Sequence, residues 1–274
     1  MLKLPKARLI GDVAVVRIPA ELEEHEKEIG EEILRRNPSI RTVIRTFGAY
    51  GQTRTTRTKI IAGEDNTETI YKEHGCIYKL DVATLLFCLG NLYERRRMAS
   101  IVKAGEVVAD MFAGVGQFTI PIAKLASPSV VYAFEINPDA YRYLLENIRL
   151  NKLEHVVRAF MDDCRNALKY GMEESADRVI MGYFPGTIRF LPTALRLSRG
   201  VGSCIHLHDL ARKKTGWAEL WESVKNVAEQ LGYGVKLIGY REVKSYSPSL
   251  AHWALDFRVD CSPQAVRRAN APPR

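Results

Sequence analysis

The residues with the most chemical content lie in the stretch Asp110-Met111-Phe112-Ala113-Gly114-Val115-Gly116-Gln117-Phe118. An apolar run, Val107-Val108-Ala109, precedes it, and an apolar helical pattern, Phe118-Thr119-Ile120-Pro121-Ile122-Ala123, follows. A strand that stops at a Gly-x-Gly turn and restarts as a helix leaves backbone N–H groups pointing into an open crevice. Glycines there let a ligand approach the backbone closely. A second apolar run, Val130-Val131-Tyr132-Ala133-Phe134, ends in Glu135, roughly 20 residues after the turn, where such folds place an acid that accepts from ribose hydroxyls. The pattern predicts a nucleoside-bearing cofactor. The Asp before the glycines, and the absence of a third glycine at the dinucleotide spacing, favour S-adenosylmethionine over NAD. Asp110, Gly114 and Gly116 are then the floor under its methionine part, with Phe112 in the same turn.

Three further groups have residue types suited to chemistry. Asp162-Asp163-Cys164 follows the third strand of this region, His155–Phe160. A carboxylate there can accept from an adenine amino group while the next backbone N–H, that of Cys164, donates to the ring; a turn or capping aspartate is the plainer reading. His206 and His208 share one strand face, the spacing of a metal pair, but no further Cys, His or Glu cluster completes a site, and no metal is expected. After the fourth strand comes Met181-Gly182-Tyr183-Phe184-Pro185-Gly186-Thr187. Enzymes that methylate an exocyclic amine place Asn/Asp-Pro-Pro-aromatic there, and Gly182 offers no side-chain acceptor. Thr187 fits the N-cap of a helix starting at Ile188.

The elements that position these groups follow from periodicity. From Glu106 onward strands near 106–112, 130–136, 156–160, 177–183 and 202–208 alternate with helices near 117–125, 139–151, 188–199 and 216–231. The alternation implies a mostly parallel sheet covered on both faces. Two closing strands, Val235–Lys244 and Ala251–Asp260, are near enough to pair antiparallel. Residues 1–80 are expected to form a smaller strand-rich α+β domain, with strands at Asp12–Ile18, Thr42–Phe47, Thr58–Ala62, Thr69–Lys72 and Cys76–Leu80 and one helix from Glu21 to Arg36. Residues 81–104 connect the two, 105–261 form the catalytic domain, and the Pro- and Arg-rich tail 262–274 is expected to fray.

Composition narrows the function. The chain has 274 residues, 46 % of them hydrophobic, enough for a proper core. No apolar stretch approaches the roughly 20 residues that span a bilayer, and the N-terminus lacks an apolar h-region. The five scattered cysteines, never in a C-x-x-C pair, suit a reducing cytoplasm. A net charge of +8 is consistent with a polyanionic partner. From Ile33 to Gly63 stand seven basic residues (Arg35, Arg36, Arg41, Arg45, Arg54, Arg57 and Lys59) and no acidic one, with Phe47 and Tyr50 among them. Basic side chains that track phosphates beside aromatics that stack on bases read as an RNA surface, with Arg54 and Arg57 as contacts. The alternative is a solvated face balanced by the acidic helix Glu21–Glu32.

Together these segments resemble the archaeal and eukaryotic tRNA-modifying family that acts on the purine just 3′ of the anticodon. The resemblance rests on Ile10-Gly11-Asp12-Val13-Ala14-Val15, Tyr78-Lys79-Leu80-Asp81, Glu94-Arg95 with Arg97, the glycine turn, Glu135-Ile136-Asn137-Pro138, and Val243-Lys244-Ser245-Tyr246-Ser247-Pro248, the last quite specific to the family. It implies a Rossmann-like class I S-adenosylmethionine-dependent methyltransferase fold and tRNA(Phe) as partner. One branch methylates guanosine N1. The other, in wybutosine synthesis, transfers the 3-amino-3-carboxypropyl group of S-adenosylmethionine to 4-demethylwyosine. The methylating branch typically carries Asn-x-Pro where this chain has Gly182-Tyr183-Phe184, and often a further N-terminal domain; both features favour aminocarboxypropyl transfer here. The cofactor contacts implied by the resemblance fall on Cys88, Arg95, Glu135 with Ile136, and Asp163 with Cys164. At Cys88-Leu89 this chain departs from the Ser-Pro of that branch. Arg97, or Arg95, would orient the target base or the migrating carboxylate; an Arg-rich helix face that binds phosphate is the other reading. Guanosine N1 methylation and a non-catalytic RNA-binding module stay open at this point. No membrane contact is expected, and the sequence does not specify an oligomeric state.

Overall fold

A computed structural model describes residues 4–51, 55–261 and 263. Arg54 and the tail beyond Pro263 therefore lie outside the described residues. The N-terminal part is a four-stranded sheet in the order β1 (Ala7–Ile10), β2 (Val13–Val16), β3 (Thr42–Tyr50), β4 (Thr55–Gly63). The β2–β3 pair is parallel, and its crossover is α1 (Glu26–Arg36). Ile29, Gly30 and Ile33 on one face of α1 are buried, which follows from their i, i+1, i+4 spacing. The expected single helix over 21–36 is instead a 3-10 turn, Ala20–His25, followed by α1. No residue of that turn is fully buried, and Leu22 is its one partly buried contact with the core around Ile29 and Ile33.

A hairpin of β5 (Glu68–Glu73) and β6 (Cys76–Asp81) follows, then a short 3-10 turn, Leu89–Asn91, and α2 (Leu92–Ile101). The hairpin is fixed on both sides. Thr69 accepts from the Asp12 amide at 3.1 Å, while Asn147 and Asn151 hydrogen-bond the main chain of Lys79 and Ile77.

The larger sheet has seven strands in the order β12-β13-β11-β10-β7-β8-β9. These are β7 (Val107–Asp110), β8 (Val130–Phe134), β9 (Val157–Phe160), β10 (Arg178–Met181), β11 (Cys204–Arg212), β12 (Gly234–Ser245) and β13 (Leu250–Cys261). Strands β9, β8, β7, β10 and β11 are parallel, and β13 joins β11 antiparallel. The helices are α3 (Thr119–Leu125), α4 (Pro138–Leu150), α5 (Leu191–Leu197) and α6 (Gly216–Gln230). This is the expected Rossmann-like methyltransferase sheet, with β7 at the point where strand order reverses. The expected helix over 188–199 begins as a 3-10 turn, Thr187–Phe190, and becomes α5 only at Leu191. Pro192 lies in its first turn, where the missing N–H costs nothing. The fifth strand outruns its expected end at 208, because residues 209–212 keep pairing with β13 as far as Arg212 opposite Leu250.

One apolar cluster runs from Ile10, Val13 and Ile44 through Tyr78, Leu80, Phe87 and Met98 to Val108, Ile120, Leu144 and Ile180. The N-terminal sheet and the large sheet are thus joined by a continuous core, and the crevice between them has fixed walls. Among the described residues no helix is long and apolar enough to cross a membrane.

Candidate active site

A cavity of about 790 Å³ opens at the carboxyl ends of β7 and β8, with walls from both sheets. Its floor is the turn after β7. Gly114 and Gly116 adopt positive φ, +57° and +96°, which side-chain-bearing residues seldom do. A Cβ on Gly116 would also lie 2.6 Å from Ile120 Cγ1 and 3.2 Å from Leu144 Cδ1, so this glycine lets the turn sit down on α3 and α4. Gly114 is less crowded, since a Cβ there would meet Gln117 Nε2 at 3.8 Å, an ordinary contact, and it lines the cavity.

Asp110 does not reach the cavity. It is fully buried below the turn, accepting the Phe112 amide at 3.2 Å and the Thr119 hydroxyl at 2.7 Å. Burial pushes its carboxyl up to about 6, against those two hydrogen bonds. Its work here is to hold both ends of the loop. Glu135, at the end of β8, lines the cavity and is half-buried. Its Oε2 accepts the Gly114 amide at 2.7 Å and its Oε1 the Asn137 amide at 2.8 Å. Burial raises its pKa, and those amides oppose the shift. Each oxygen keeps a lone pair for a further donor, so the carboxylate can still accept two hydroxyls.

Asp163 and Cys164 lie at the same end of the cavity, with Ile136 and Phe112. Asp163 caps the 3-10 turn Cys164–Tyr170 through the Arg165 amide at 2.9 Å, and pairs with the Arg165 guanidinium at 2.6 Å. The Arg165 hydrogen bond holds its carboxyl below the usual range, against burial. The capping role weighed from sequence is therefore present, in a residue that also faces the cavity. Phe112 stacks on Tyr183 (5.1 Å between centroids) and meets Phe190 edge-on, forming an aromatic wall beside this end.

Cys88, Arg95, Gln117, Gly182 and Lys244 also line the cavity. Gln117 ties the glycine turn to the segment before α2, accepting from the Cys88 amide and donating to Leu86 O, both at 3.1 Å. Arg95 is buried and forks onto Glu73 through Nε and Nη2, with Nη1 on Cys88 O at 2.7 Å. It lines the cavity with its charge already opposed, so it is no phosphate contact on an exposed helix face.

Arg97 is not at the site. Its guanidinium is buried between Glu94 and Asp256, at 2.8 Å from Asp256 Oδ2, and it does not line the cavity. The expectation that it orients a base is corrected on that ground: α2 turns this residue toward β13. Burial would raise the Asp256 carboxyl, but the hydrogen bond from His206 and the charge of Arg97 hold it well below the ordinary range. The two histidines of β11 join the same interior. His206 bridges Asp256 (2.6 Å) and Arg178 (2.7 Å), and His208 Nδ1 lies 3.0 Å from His252 Nε2. Burial lowers both pKa values, that of His208 to about 4. Thr187 does not cap its helix with its side chain, which donates to Tyr183 O. The carboxylate of Asp209 serves instead, accepting the Gly186 and Thr187 amides at 2.8 and 2.7 Å.

The basic stretch is mostly neutralised. Arg35 and Arg36 pair with Glu32, Arg41 with Asp12 and Glu64, and Arg45 and Lys59 with Glu26. Arg57 is exposed, over the Phe47 ring at 5.4 Å, and outside the cavity. The cations at the cavity mouth from the N-terminal part are Arg8 and Arg17, which sequence reasoning passed over because both fall outside the basic run Ile33–Gly63. Lys244 was also missed, although it belongs to the Val243–Pro248 motif.

The volume, the ribose-ready carboxylate, the aromatic wall and the open backbone at Gly114 fit a nucleoside-bearing donor. The comparisons point the same way. The model described as "TRM5/TYW2 methyltransferase domain" matches residues 69–236, and that of the "TYW2 N-terminal domain" matches 7–67. The tRNA(Phe) (4-demethylwyosine(37)-C(7)) aminocarboxypropyltransferase of Methanocaldococcus jannaschii is 43% identical over 257 residues, 93% of this chain and 98% of that protein. The tRNA (guanine(37)-N(1))-methyltransferase Trm5b of Pyrococcus abyssi is 37% identical, over 92% of this chain and 74% of its own. The crystal structure of Pyrococcus horikoshii TYW2 in complex with MeSAdo superposes with a TM-score of 0.82 at 35% identity, covering 94% of this chain and 92% of that one.

Proposed function

Because the chain belongs to the TRM5/TYW2 methyltransferase family, we propose that it transfers the 3-amino-3-carboxypropyl group of S-adenosylmethionine to 4-demethylwyosine beside the anticodon of tRNA(Phe). The observation that carries this reading is at Gly182. There the wall offers the acceptor no side-chain oxygen, and the Phe118 ring fills the space: a Cβ would lie 2.8 Å from Phe118 Cε2. The higher identity to the aminocarboxypropyltransferase than to Trm5b agrees.

The donor, when bound, supplies a sulfonium whose adjacent carbons are all open to displacement. Which carbon reacts depends on which is held in line with the acceptor, about 3–3.5 Å away. This chain's residues act by holding. Glu135 accepts from the ribose hydroxyls, the Asp163 carboxylate and the Cys164 amide take the adenine edge, and Phe112 and Ile136 flank the ring. Gly114 gives the donor access to the backbone, while Asp110 and Gly116 keep the turn in shape. Cys88 stands where the branch has Ser, with its carbonyl fixed by Arg95 and its amide by Gln117. The cation pair Arg8 and Arg17, with Arg57 of β4 and the neighbouring Arg54 in sequence, suits the phosphates of a tRNA loop. We divide the chain at about residue 80 into a tRNA-contacting N-terminal domain and a catalytic domain, and place the enzyme in the cytoplasm with its tRNA.

The test is a label comparison on tRNA(Phe) that carries 4-demethylwyosine. Label is expected to reach the tRNA from carboxyl-labelled donor. Transfer from methyl-labelled donor alone would overturn the reading in favour of a methyltransferase.

A further inference from the structure

Lys244, the penultimate residue of β12, lines the cavity beside Cys88 and Gly90. Its stem crosses directly over Gly90: a Cβ at that position would lie 3.0 Å from Lys244 Cδ and 3.5 Å from Nζ. Gly90 is therefore what allows the lysine to reach inward. The ammonium donates to Cys88 Sγ. Among the described residues no carboxylate lies within ion-pair distance of it, whereas Arg95 is matched by Glu73 and Arg165 by Asp163, and Arg189, also without a carboxylate, is exposed and rests on the Tyr183 hydroxyl and the Tyr183 and Phe190 rings. A half-buried ammonium with only a thiol for partner carries an unmet electrostatic demand. Cys88, in turn, is tied through Gln117 to the glycine turn. The ammonium is thus linked to the glycine turn through Cys88 and Gln117.

The donor has one carboxylate, at the end of the arm farthest from its adenine. We propose that Lys244 binds this carboxylate and so holds the aminocarboxypropyl arm in place, with Gly90 providing its path. This assignment rests on the donor reading above. Arg95 keeps Glu73 as its partner and acts on the arm only by fixing the Cys88 carbonyl.

The experiment is calorimetric titration of the full chain with S-adenosylmethionine and with 5′-methylthioadenosine, which lacks the arm. For Lys244→Met the dissociation constant for S-adenosylmethionine should rise about 10- to 100-fold, the loss expected for one charged hydrogen bond, while that for 5′-methylthioadenosine stays within about twofold. Lys244→Gln, which keeps the stem, should behave the same way and guards against a folding defect; 5′-methylthioadenosine binding itself reports an intact slot. Equal weakening of both ligands, or no change in either, overturns the assignment while leaving the donor reading intact. A wild-type protein that binds neither ligand overturns both.

Discussion

Gly182 offers a test of why the acceptor wall is bare. Its φ is not in the left-handed region, so a substitution there meets no backbone penalty of the kind seen at Gly114. The obstacle is space. A Cβ would stand 2.8 Å from Phe118 Cε2 and 3.1 Å from Cδ2, where carbon atoms prefer about 3.5–4.0 Å. The ring must retreat by more than half an ångström, yet Phe118 is buried and the His208 ring packs on it at 5.4 Å. Forcing one methyl group into a packed core costs about 1–3 kcal/mol. For a chain of this size each kcal/mol lowers the melting temperature by about 2–4 °C. Gly182→Ala should therefore melt about 2–12 °C below wild type in a thermal scan followed by circular dichroism. In a Phe118→Leu background, where the ring edge is gone, the same substitution should cost less than about 0.5 kcal/mol, a coupling readable from the double-mutant cycle. An equal cost in both backgrounds, or a Gly182→Ala protein as stable as wild type, would refute the steric account. Gly182→Asn should be no milder, and should not yield label transfer from methyl-labelled donor.

Other outcomes follow from the same geometry. Glu135→Ala should weaken S-adenosylmethionine binding by about 100-fold by calorimetry, since it removes an acceptor for two hydroxyls, and should weaken 5′-methylthioadenosine equally, unlike the Lys244 variants. Arg8→Ala combined with Arg17→Ala should weaken tRNA binding and flatten its salt dependence by about 0.7 per charge in log–log slope; an unchanged slope removes these residues from the tRNA path. Arg97→Ala should cost about 3–5 kcal/mol in denaturant unfolding, because Glu94 and Asp256 are left buried without it. Asp110 carries a pH signature. Its folded pKa of about 6 lies above the ordinary 3.8, so its stabilising contribution is full below about pH 4 and is lost as pH rises through about 6. Two pKa units correspond to about 3 kcal/mol, so Asp110→Asn should gain on wild type by about that amount between pH 4 and pH 8 in urea titrations, and a pH-independent difference would refute it.

What could be read from sequence, and what could not, divides along the length of chain that creates each environment. The glycine turn and Glu135 were legible because their demands are local: a positive φ, a close backbone approach, an acid at the next strand end. Asp163 was legible as a capping residue, and it caps the 3-10 turn Cys164–Tyr170 while lining the cavity. The reading of Arg97 failed because its partner Asp256 is 159 residues away, and helical spacing alone does not say which face of α2 turns inward. Lys244 meets Cys88 across 156 residues, with Gly90 between them, a relation with no trace in local pattern. The basic run Ile33–Gly63 was misweighted for the same reason. Five of its seven cations find acids on Asp12, on the 3-10 turn and α1, or on Glu64.

That neutralisation bears on how an acceptor would be held. If the run Arg35–Lys59 were free, the whole face of the N-terminal sheet would attract phosphate without direction. With most of those charges answered internally, the cations that line the cavity without a carboxylate partner, apart from Arg189 beside the aromatic wall, are Arg8 and Arg17 at its mouth and Lys244 within it. They are supplied by different parts of the fold, β1 and the residue after β2 on one side and β12 on the other. The core shared by the two sheets keeps those sides at a fixed separation. Charge at the rim can then act on a polyanion while the inner ammonium acts on a small carboxylate, and neither need compete for the other's ligand. Removing the rim pair should change salt dependence without touching donor affinity, and removing Lys244 should do the reverse. A variant at either place that moved both quantities would mean that the two sides are not held apart as the shared core requires.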